Sequence, residues 1–496
     1  MLKNDTNAEA PTVAAPAAAN AAANRAAMLI VFLVVFIDLL GFGIMLPLLP
    51  RFGKEYLGVL MAGGADSKAS GAILGLLMAS FSAMQFVFAP FWGRVSDRRG
   101  RRPILLLGLT GSVLFYCLLG FAWELDPSRY ALAAVVLMFI ARIGAGIAGA
   151  TISTAQAAIA DTTTLEKRKM GMALIGAAFG IGFTFGPLLG FAALTLFPTH
   201  AGALGFVAAA LSLTALVLGV RIMPETRFLS GNASTAASSP VSSRRKLLDW
   251  DALRTALRMP TVGLLIAVFF LATFGFAQFE STLSLLNNDN LHLADTTNFL
   301  VFAYVGFTLM FAQGVLYRRL ARRVREETFM AMGILLMGLG VASLGAVTWA
   351  ASQINAEHLQ ELKDEGGERY EAILDDKGNI DPKKVPGPDD TEFPRLMLGT
   401  LASLAVAVTG FAFLTPSVSS LISRRSDPSQ QGGILGVNQS ASAMARILGP
   451  MVGLALYTAT SSHLLPYFEG ACIILVMLPL IPRIRKGADA VHPAPV

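Results

Sequence analysis

Runs of about twenty apolar residues, separated by short charged or Gly/Pro-rich stretches, recur along the whole of this 496-residue chain. Two of them, Gly71 to Phe91 and Ile104 to Trp123, contain no Asp, Glu, Lys or Arg. A run of that length crosses the hydrocarbon core of a bilayer as a helix, the form in which one segment satisfies its own backbone polar groups there. With 54% hydrophobic and 15% charged residues and a mean hydropathy of +0.59, the chain lies outside the range of soluble domains. The net charge of +6 does not point to nucleic acid, because the lysines and arginines cluster beside apolar runs in the positive-inside pattern. Cys117 and Cys472 both fall in apolar runs, so they are packing residues and not a disulfide or metal set.

The fold class is an all-α membrane protein of twelve transmembrane helices. Residues 1–26 form a disordered cytoplasmic tail without the charged start and apolar centre of a signal peptide. Helix 1 runs from Ala27 to Pro50, helices 2 and 3 are the two uncharged runs, helix 4 covers Tyr130 to Ala158, helix 5 Lys169 to Leu196 and helix 6 Ala201 to Ile222. Together, 27–222 make an N-terminal six-helix bundle. Residues 223–259 form a hydrophilic linker in which Leu247, Trp250, Leu253 and Leu257 fall at helical spacing beside arginines, the pattern of a short interfacial helix. Residues 260–482 make the C-terminal bundle: helix 7 Pro260 to Leu286, helix 8 Asn298 to Tyr317, helix 9 Thr328 to Ala351, helix 10 Leu396 to Ser423, helix 11 Gly432 to Thr460 and helix 12 His463 to Pro482. Residues 483–496 form a second tail. Between helices 9 and 10, 352–395 is a polar, acidic outer loop; its Asp375 to Asp381 stretch lacks calcium-loop spacing and the closing Glu. Twelve crossings put both termini on one side. Of the lysines and arginines, 27 fall in the tails and loops on that side and 10 on the other, six of the ten in the long loop, so the termini are expected in the cytoplasm.

Between helices 2 and 3 lies Gly93-Arg94-Val95-Ser96-Asp97-Arg98-Arg99-Gly100-Arg101-Arg102-Pro103. Its glycines suit a tight turn between antiparallel helices, and Pro103 suits the start of the next helix. With Met84-Gln85-Phe86 and Ala89-Pro90 before it, this run resembles the loop of the major facilitator superfamily, and within it the tetracycline-type branch of the twelve-helix drug:proton antiporters. Gly186-Pro187-Leu188-Leu189-Gly190 in helix 5 recurs as Gly449-Pro450-Met451-Val452-Gly453 in helix 11, and the basic loop has an echo in Arg318-Arg319-Leu320-Ala321-Arg322-Arg323, where Arg322 stands in the place of Asp97. The resemblance implies two pseudo-symmetric halves with a site near the midplane between them.

Asp38 lies in the middle of helix 1, where an ionised carboxylate costs about 2.5–3.5 kcal/mol. An acid at that depth either hydrogen-bonds a neighbouring helix or takes up and releases a proton during a cycle. The spacing of Asp38, Gly41, Gly43, Pro47 and Pro50 also resembles the helix 1 signature of tetracycline exporters, which implies proton coupling. Arg142 in helix 4, with Ala145, Gly146 and Gly149 on its own face, either clamps backbone carbonyls or partners Asp38 in coupling. Gly182, Gly186 and Gly190 form a packing stripe around Pro187 that resembles the antiporter motif, echoed by Gly449 and Pro450. Glu280 in helix 7 is a second intramembrane acid, a proton site or a counter-charge for substrate, with Arg446 of helix 11 as its candidate partner. Gln85, Gln278, Glu280 and Arg446 are the candidate cavity residues, whereas Glu469 near the end of helix 12 is expected to reach the interface. In the basic loop, Asp97 is expected to cap helix 11 near Gly432, and Arg98 and Arg102 to pair with Asp161. By resemblance, Gly93, Asp97, Arg98, Gly100, Arg101, Arg102 and Asp161 form an inner gate. His200, His292 and His463 are expected to be surface residues.

The resemblance implies export of a small amphipathic compound, such as a drug or a tetracycline-like antibiotic, in exchange for protons. It implies a monomer in a bacterial inner membrane that uses the proton gradient and no cofactor or metal, without nucleic acid. No nucleotide-binding loop or catalytic domain is legible, so no enzymatic activity is expected. A proton-coupled uptake carrier for a metabolite, or a transport-inactive receptor acting through 352–395, are the alternatives.

Overall fold

The computed structural model describes residues 31–37, 39–61, 64, 67–162, 165–226, 259–320, 323–373, 388–389, 391–425, 431–460 and 462–489. The expected interfacial helix, both tail ends and the Asp375 to Asp381 stretch lie outside them. The described residues are helical almost throughout, with no strand among them. In chain order the helices are α1 (Val31–Met45, continued after a 43° bend as Leu49–Leu60), α2 (Lys68–Arg99), α3 (Arg101–Trp123), α4 (Pro127–Ala148, continued as Ile152–Thr162), α5 (Leu165–Leu196) and α6 (Ala203–Ile222). They are followed by α7 (Pro260–Asp289), α8 (Asp295–Phe311, extended by a π-helical turn Ala312–Tyr317 and by Arg318–Leu320), α9 (Glu326–Glu365), α10 (Glu392–Arg425), α11 (Gln431–Tyr457) and α12 (Leu465–Leu475, continued as Ile481–Asp489). Among the described residues, nine helices are long and apolar enough to cross a membrane, ten when the bent α1 is taken as one span. The architecture is an all-α bundle, as the sequence leads one to expect.

Several boundaries differ from the sequence expectation for identifiable reasons. α1 does not stop at Pro50: Pro47 bends it, and Pro50, in the first turn of the second piece, loses no helical hydrogen bond there. α9 runs fourteen residues past Ala351 to Glu365, so the first third of the expected outer loop is helix, because nothing before Gly366 breaks the pattern. The basic segment is not a loop either. α2 continues through Gly93 to Arg99, and the whole turn is Gly100, at φ 100°, a conformation suited to glycine. Pro103 is then the third residue of α3, still within the turn that needs no donor. At the start of α4, Asp126 accepts from the Ser128 amide at 2.8 Å, and the hydrogen bonds from Ser128 hold its carboxylate below the usual range.

The helices pack where small residues let backbones touch. In the first half, a Cβ on Gly186 of α5 would lie 2.8 Å from Gly43 Cα of α1; in the second, a Cβ on Gly449 of α11 would lie 2.9 Å from Phe274 O of α7. The repeated Gly-Pro motif thus does the same job in equivalent helix pairs. The halves meet through α2 on α11, where Gly71 and Gly75 face Thr458 and Met451, and through α5 on α8, where Gly306 faces Phe183 and Thr184. One large apolar core runs through both halves, while Val31, Val34, Val35, Leu105, Leu109 and Ile159 form a separate small core at the end that carries the α2–α3 turn. That end is called the basic face below. α9 and α10 also touch backbone to backbone, and a Cβ on Gly340 would collide with Ala407 N and Cα. Replacing Gly340 with Val should therefore cost about 1–3 kcal/mol by overpacking and lower the unfolding temperature in detergent, whereas Gly314→Val, at a position with nothing within 4 Å among the described residues, should leave it unchanged.

Candidate functional site

Arg142 lies nearly two turns before the first piece of α4 ends, and Gly146, four residues on, lets α4 close on α2 with only 2.5 Å between a built Cβ and Phe81 O. The close contact buries the guanidinium. It is 5% exposed, lies 4.7 Å from the Phe81 ring centroid and 5.9 Å from that of Phe42 of α1, and donates from Nη2 to Met78 O at 3.2 Å. Its Nε has no partner among the described residues. Among the described residues the guanidinium has one carbonyl contact, and the rings against it supply only quadrupole attraction. Asp38 lies outside the described residues. Its neighbours Ile37, Leu39 and Leu40 are buried, and Gly41 faces the ring of Tyr116, which also senses the Arg142 charge.

Gln85, a candidate cavity residue, is half-buried and bonded to a neighbouring helix. Its Nε2 donates to Gly149 O at 3.2 Å, and Trp92 Nε1 donates to Ile147 O at 2.8 Å. Both carbonyls belong to the break between the two pieces of α4, so α2 satisfies the backbone that the break frees. Gly149 is the residue that caps the first piece.

In the second half, Glu280 of α7 and Arg446 of α11 attract each other electrostatically, with no direct ion pair between them among the described contacts. Arg446 is exposed and Glu280 partly so, although each sits inside a membrane helix. Around Glu280, Phe276 stacks on Phe411 of α10 at 4.0 Å and meets Phe279 edge-on at 4.8 Å. Gln278 is not part of this group. Two residues from Glu280 on a helix is nearly the opposite side, and there Gln278, fully buried, donates to Glu469 Oε2 of α12 at 2.7 Å. Glu469 is therefore held inside the bundle and does not simply reach the interface. Sequence reasoning missed Gln439, which lies two turns before Arg446 on the same side of α11 and is exposed as Arg446 is, with the small Ala443 between them. The seven-residue spacing of two polar side chains in an apolar helix was the available signal.

At the basic face the carboxylate partners are rearranged. Arg101, the first residue of α3, donates from Nε to Asp161 Oδ2 at 3.0 Å and from Nη1 to Asp97 Oδ1 at 2.5 Å. The expected pairing of Asp161 with Arg98 or Arg102 is thereby corrected: the helical extension to Arg99 tucks Arg101 beneath the turn, and Arg102 donates to Val220 O instead. Asp97 is 61% exposed and engaged with Arg101 in its own half; the surroundings of Gly432 lie outside the described side chains. Glu225, just after α6, is a member of this cluster that the sequence did not reveal. Its carboxylate accepts from the amides of Arg101 and Arg102 at 2.8 and 3.2 Å, capping α3, and leaves no room for a Cβ on Gly100.

The opposite face carries a latch between the halves. Arg51 pairs with Asp295, and Lys54 Nζ lies 2.5 Å from Asp289 Oδ2, which also accepts from Tyr457 OH at 3.1 Å. His200 is a surface residue as expected, 63% exposed and 3.2 Å from Glu124, whereas His463 is half-buried and stacks on Tyr457 at 4.2 Å. His292 lies in the α7–α8 turn, where burial holds its imidazole below the usual range. Opposite charges at the ends of α1 and α7, six helices apart, were the overlooked signal.

Residues 31–356 match the family described as Major Facilitator Superfamily. Over 476 residues the chain is 26% identical to the mouse major facilitator superfamily domain-containing protein 10, covering 90% of this chain and 89% of that one. It is 28% identical to the class E tetracycline resistance protein of Escherichia coli over 469 residues, 92% of this chain and 94% of the relative. Among solved structures, the human organic anion transporter MFSD10 superposes with a TM-score of 0.56 at 25% identity, over 92% and 99% of the two chains. A D-xylose-proton symporter gives 0.65 at 17% identity, over 92% and 96%, a likeness of fold.

The latch should hold the opposite face shut. In Arg51→Ala/Lys54→Ala, spin labels at Val59 and Ala294 should show a longer-distance population grown roughly fivefold, for about 1 kcal/mol lost, and an unchanged distribution would assign closure to apolar packing alone.

Proposed function

The chain belongs to the major facilitator superfamily, and on that premise we propose that it is a membrane transporter that exports a small amphipathic compound, such as a drug or tetracycline-like antibiotic, in exchange for protons. The reading is carried by Arg142: a buried guanidinium, with its Nε unpartnered among the described residues, is packed on α1, the helix that bears Asp38. Protonation of Asp38 would remove the anion nearest in sequence to that contact, and substrate would be bound in the alternative state. Glu280 and Arg446, accessible in the second half, offer a polar wall to the substrate, with Phe276 and Phe411 as its apolar surface. Alternation between a latched and an open opposite face would complete the cycle. The likeness to tetracycline resistance proteins along nine-tenths of the chain supports this direction of transport.

The proposal places the protein as a monomer in a bacterial inner membrane with the basic face and both termini in the cytoplasm, and with no cofactor. A second reading is favoured by one observation. Arg446 is accessible and Arg142 buried, so two guanidinium groups lie within the membrane-spanning bundle, which suits an organic anion as cargo; the human relative carries that description.

Proteoliposomes under an inward proton gradient separate these readings. On addition of a panel containing tetracycline, lipophilic cations and organic anions, some compound should drive proton movement in the parent protein and none in Asp38→Asn, which should fall to the level of empty liposomes. Arg446→Gln should abolish the response to anions selectively under the second reading and leave cations unaffected. Proton movement that survives in Asp38→Asn would remove that residue from coupling.

A further inference from the structure

The second half repeats the basic turn of the first but distributes its charge differently. In the first half, Arg94 donates to Pro90 O at 3.2 Å, Arg102 to Val220 O at 2.6 Å, Arg101 is neutralised by Asp97 and Asp161, and Arg98 and Arg99 are exposed without an arginine-lined groove described beside them. In the second, Arg322 occupies the position of Asp97, and lies outside the described residues. The acids that follow it are already committed: Glu326 to Arg424 at 3.3 Å and to the hydroxyl of Ser420 at 2.8 Å, Glu327 to Arg425 at 3.2 Å. Arg318, Arg319 and Arg323 are consequently exposed, and none has a side-chain partner among the described residues. Positive-inside topology requires arginines at this face but does not require them to converge.

These three do converge. With Gly314, Val315 and Leu320 they line an open groove of about 650 Å³ at the basic end of α8. The groove exists because the helix is π-wound from Ala312 to Tyr317 and because Gly314 has no side chain; nothing lies within 4 Å of where its Cβ would be. Above it, on the same helix, Phe307 and Phe311 are 54% and 45% exposed with rings stacked at 6.4 Å. Phe307 and Phe311, one α-helical turn apart, share a side of the helix and precede Gly314 and Arg318 in the π-wound and terminal turns. An apolar track that runs into a guanidinium-lined groove at the membrane edge matches an acyl chain joined to an anionic headgroup, and a soluble anion would leave the track unused.

We propose that this groove binds an anionic phospholipid, its headgroup phosphate held by Arg318, Arg319 and Arg323 and an acyl chain lying along Phe307 and Phe311. Three guanidinium groups supply the positive charge that an anionic headgroup at the membrane edge requires. The inference does not depend on the transport reading, nor on which cargo is carried.

Native mass spectrometry of the full-length protein with added dioleoylphosphatidylglycerol or dioleoylphosphatidylcholine tests it. The parent should bind the phosphatidylglycerol preferentially, and Arg318→Gln/Arg319→Gln/Arg323→Gln should weaken that first binding event roughly tenfold or more, leaving phosphatidylcholine unchanged. Arg483→Gln/Arg485→Gln, which removes basic-face charge away from the groove, should retain the preference. Inorganic phosphate at equal concentration should not compete. Should the glutamine variant fold poorly, Arg318→Lys/Arg319→Lys/Arg323→Lys, which keeps the charge, should retain the preference. Equal phosphatidylglycerol binding by the parent and the glutamine variant, loss in the lysine variant equal to that in the glutamine variant, or displacement by inorganic phosphate would each overturn the proposal.

Discussion

A helix in a bilayer gains little by exchanging lipid for another apolar surface, so this bundle depends on places where backbones come into contact. Van der Waals packing of small residues is the force available, and its strength falls steeply with separation. Gly43 on Gly186, Gly120 on Gly205, Gly333 on Gly410 and Gly340 on Ala407 are such places. They fix the axes of α1, α3, α5, α6, α9 and α10, and the buried charges are positioned as a result. Arg142 is the clearest instance: without Gly146 four residues on, α4 could not approach α2 closely enough to lay the guanidinium on Phe81.

The two halves reuse one scaffold with different charge. The α1–α5 and α7–α11 contacts are the same Gly-Pro device, and the turns at the basic face are equivalent in position. At those turns the sign is inverted: an arginine opens α3 and pairs with Asp161 at the end of α4, whereas Glu326 and Glu327 open α9 and pair with Arg424 and Arg425 at the end of α10. Each turn is neutralised locally by either arrangement. The difference is in what remains, and in the second half the remainder is a set of arginines with an open groove beside them.

Much of this is legible in the sequence because two signals are strong in a membrane chain. Uninterrupted apolar runs announce the spans, and the Gly-Pro repeat announces the equivalence of α5 and α11. The departures have a common origin in helix phase and helix extension. Polarity alone groups Gln278 with Glu280, although a separation of two residues puts them on opposite sides of α7, and Gln278 bonds Glu469. Glycine composition alone makes Gly93 a turn residue, but at the bilayer edge nothing there competes with the helical hydrogen bond, and α2 runs on to Arg99. Glu225 and Asp289 are not recognisable at all, since each acts through a partner far along the chain, and one sequence carries no record of that proximity.

The latch and the Gly-Pro contacts share helices. Lys54, Asp289 and Tyr457 join α1, α7 and α11, and all three helices also make the Gly-Pro contacts, so the latch pulls on the helices whose packing is least deformable. Within the halves α1 is bound to α5 and α7 to α11 by backbone contact, and between them α2 on α11 and α5 on α8 are backbone contacts of the same kind. Separation of the halves would have to break those two seams. Arg142 lies inside one half, and Glu280 and Arg446 inside the other, so each charge group would keep its own neighbours as the seams open while the space between the groups changes. Charge groups held each within one half, with only the gap between halves changing, would suit alternation of access.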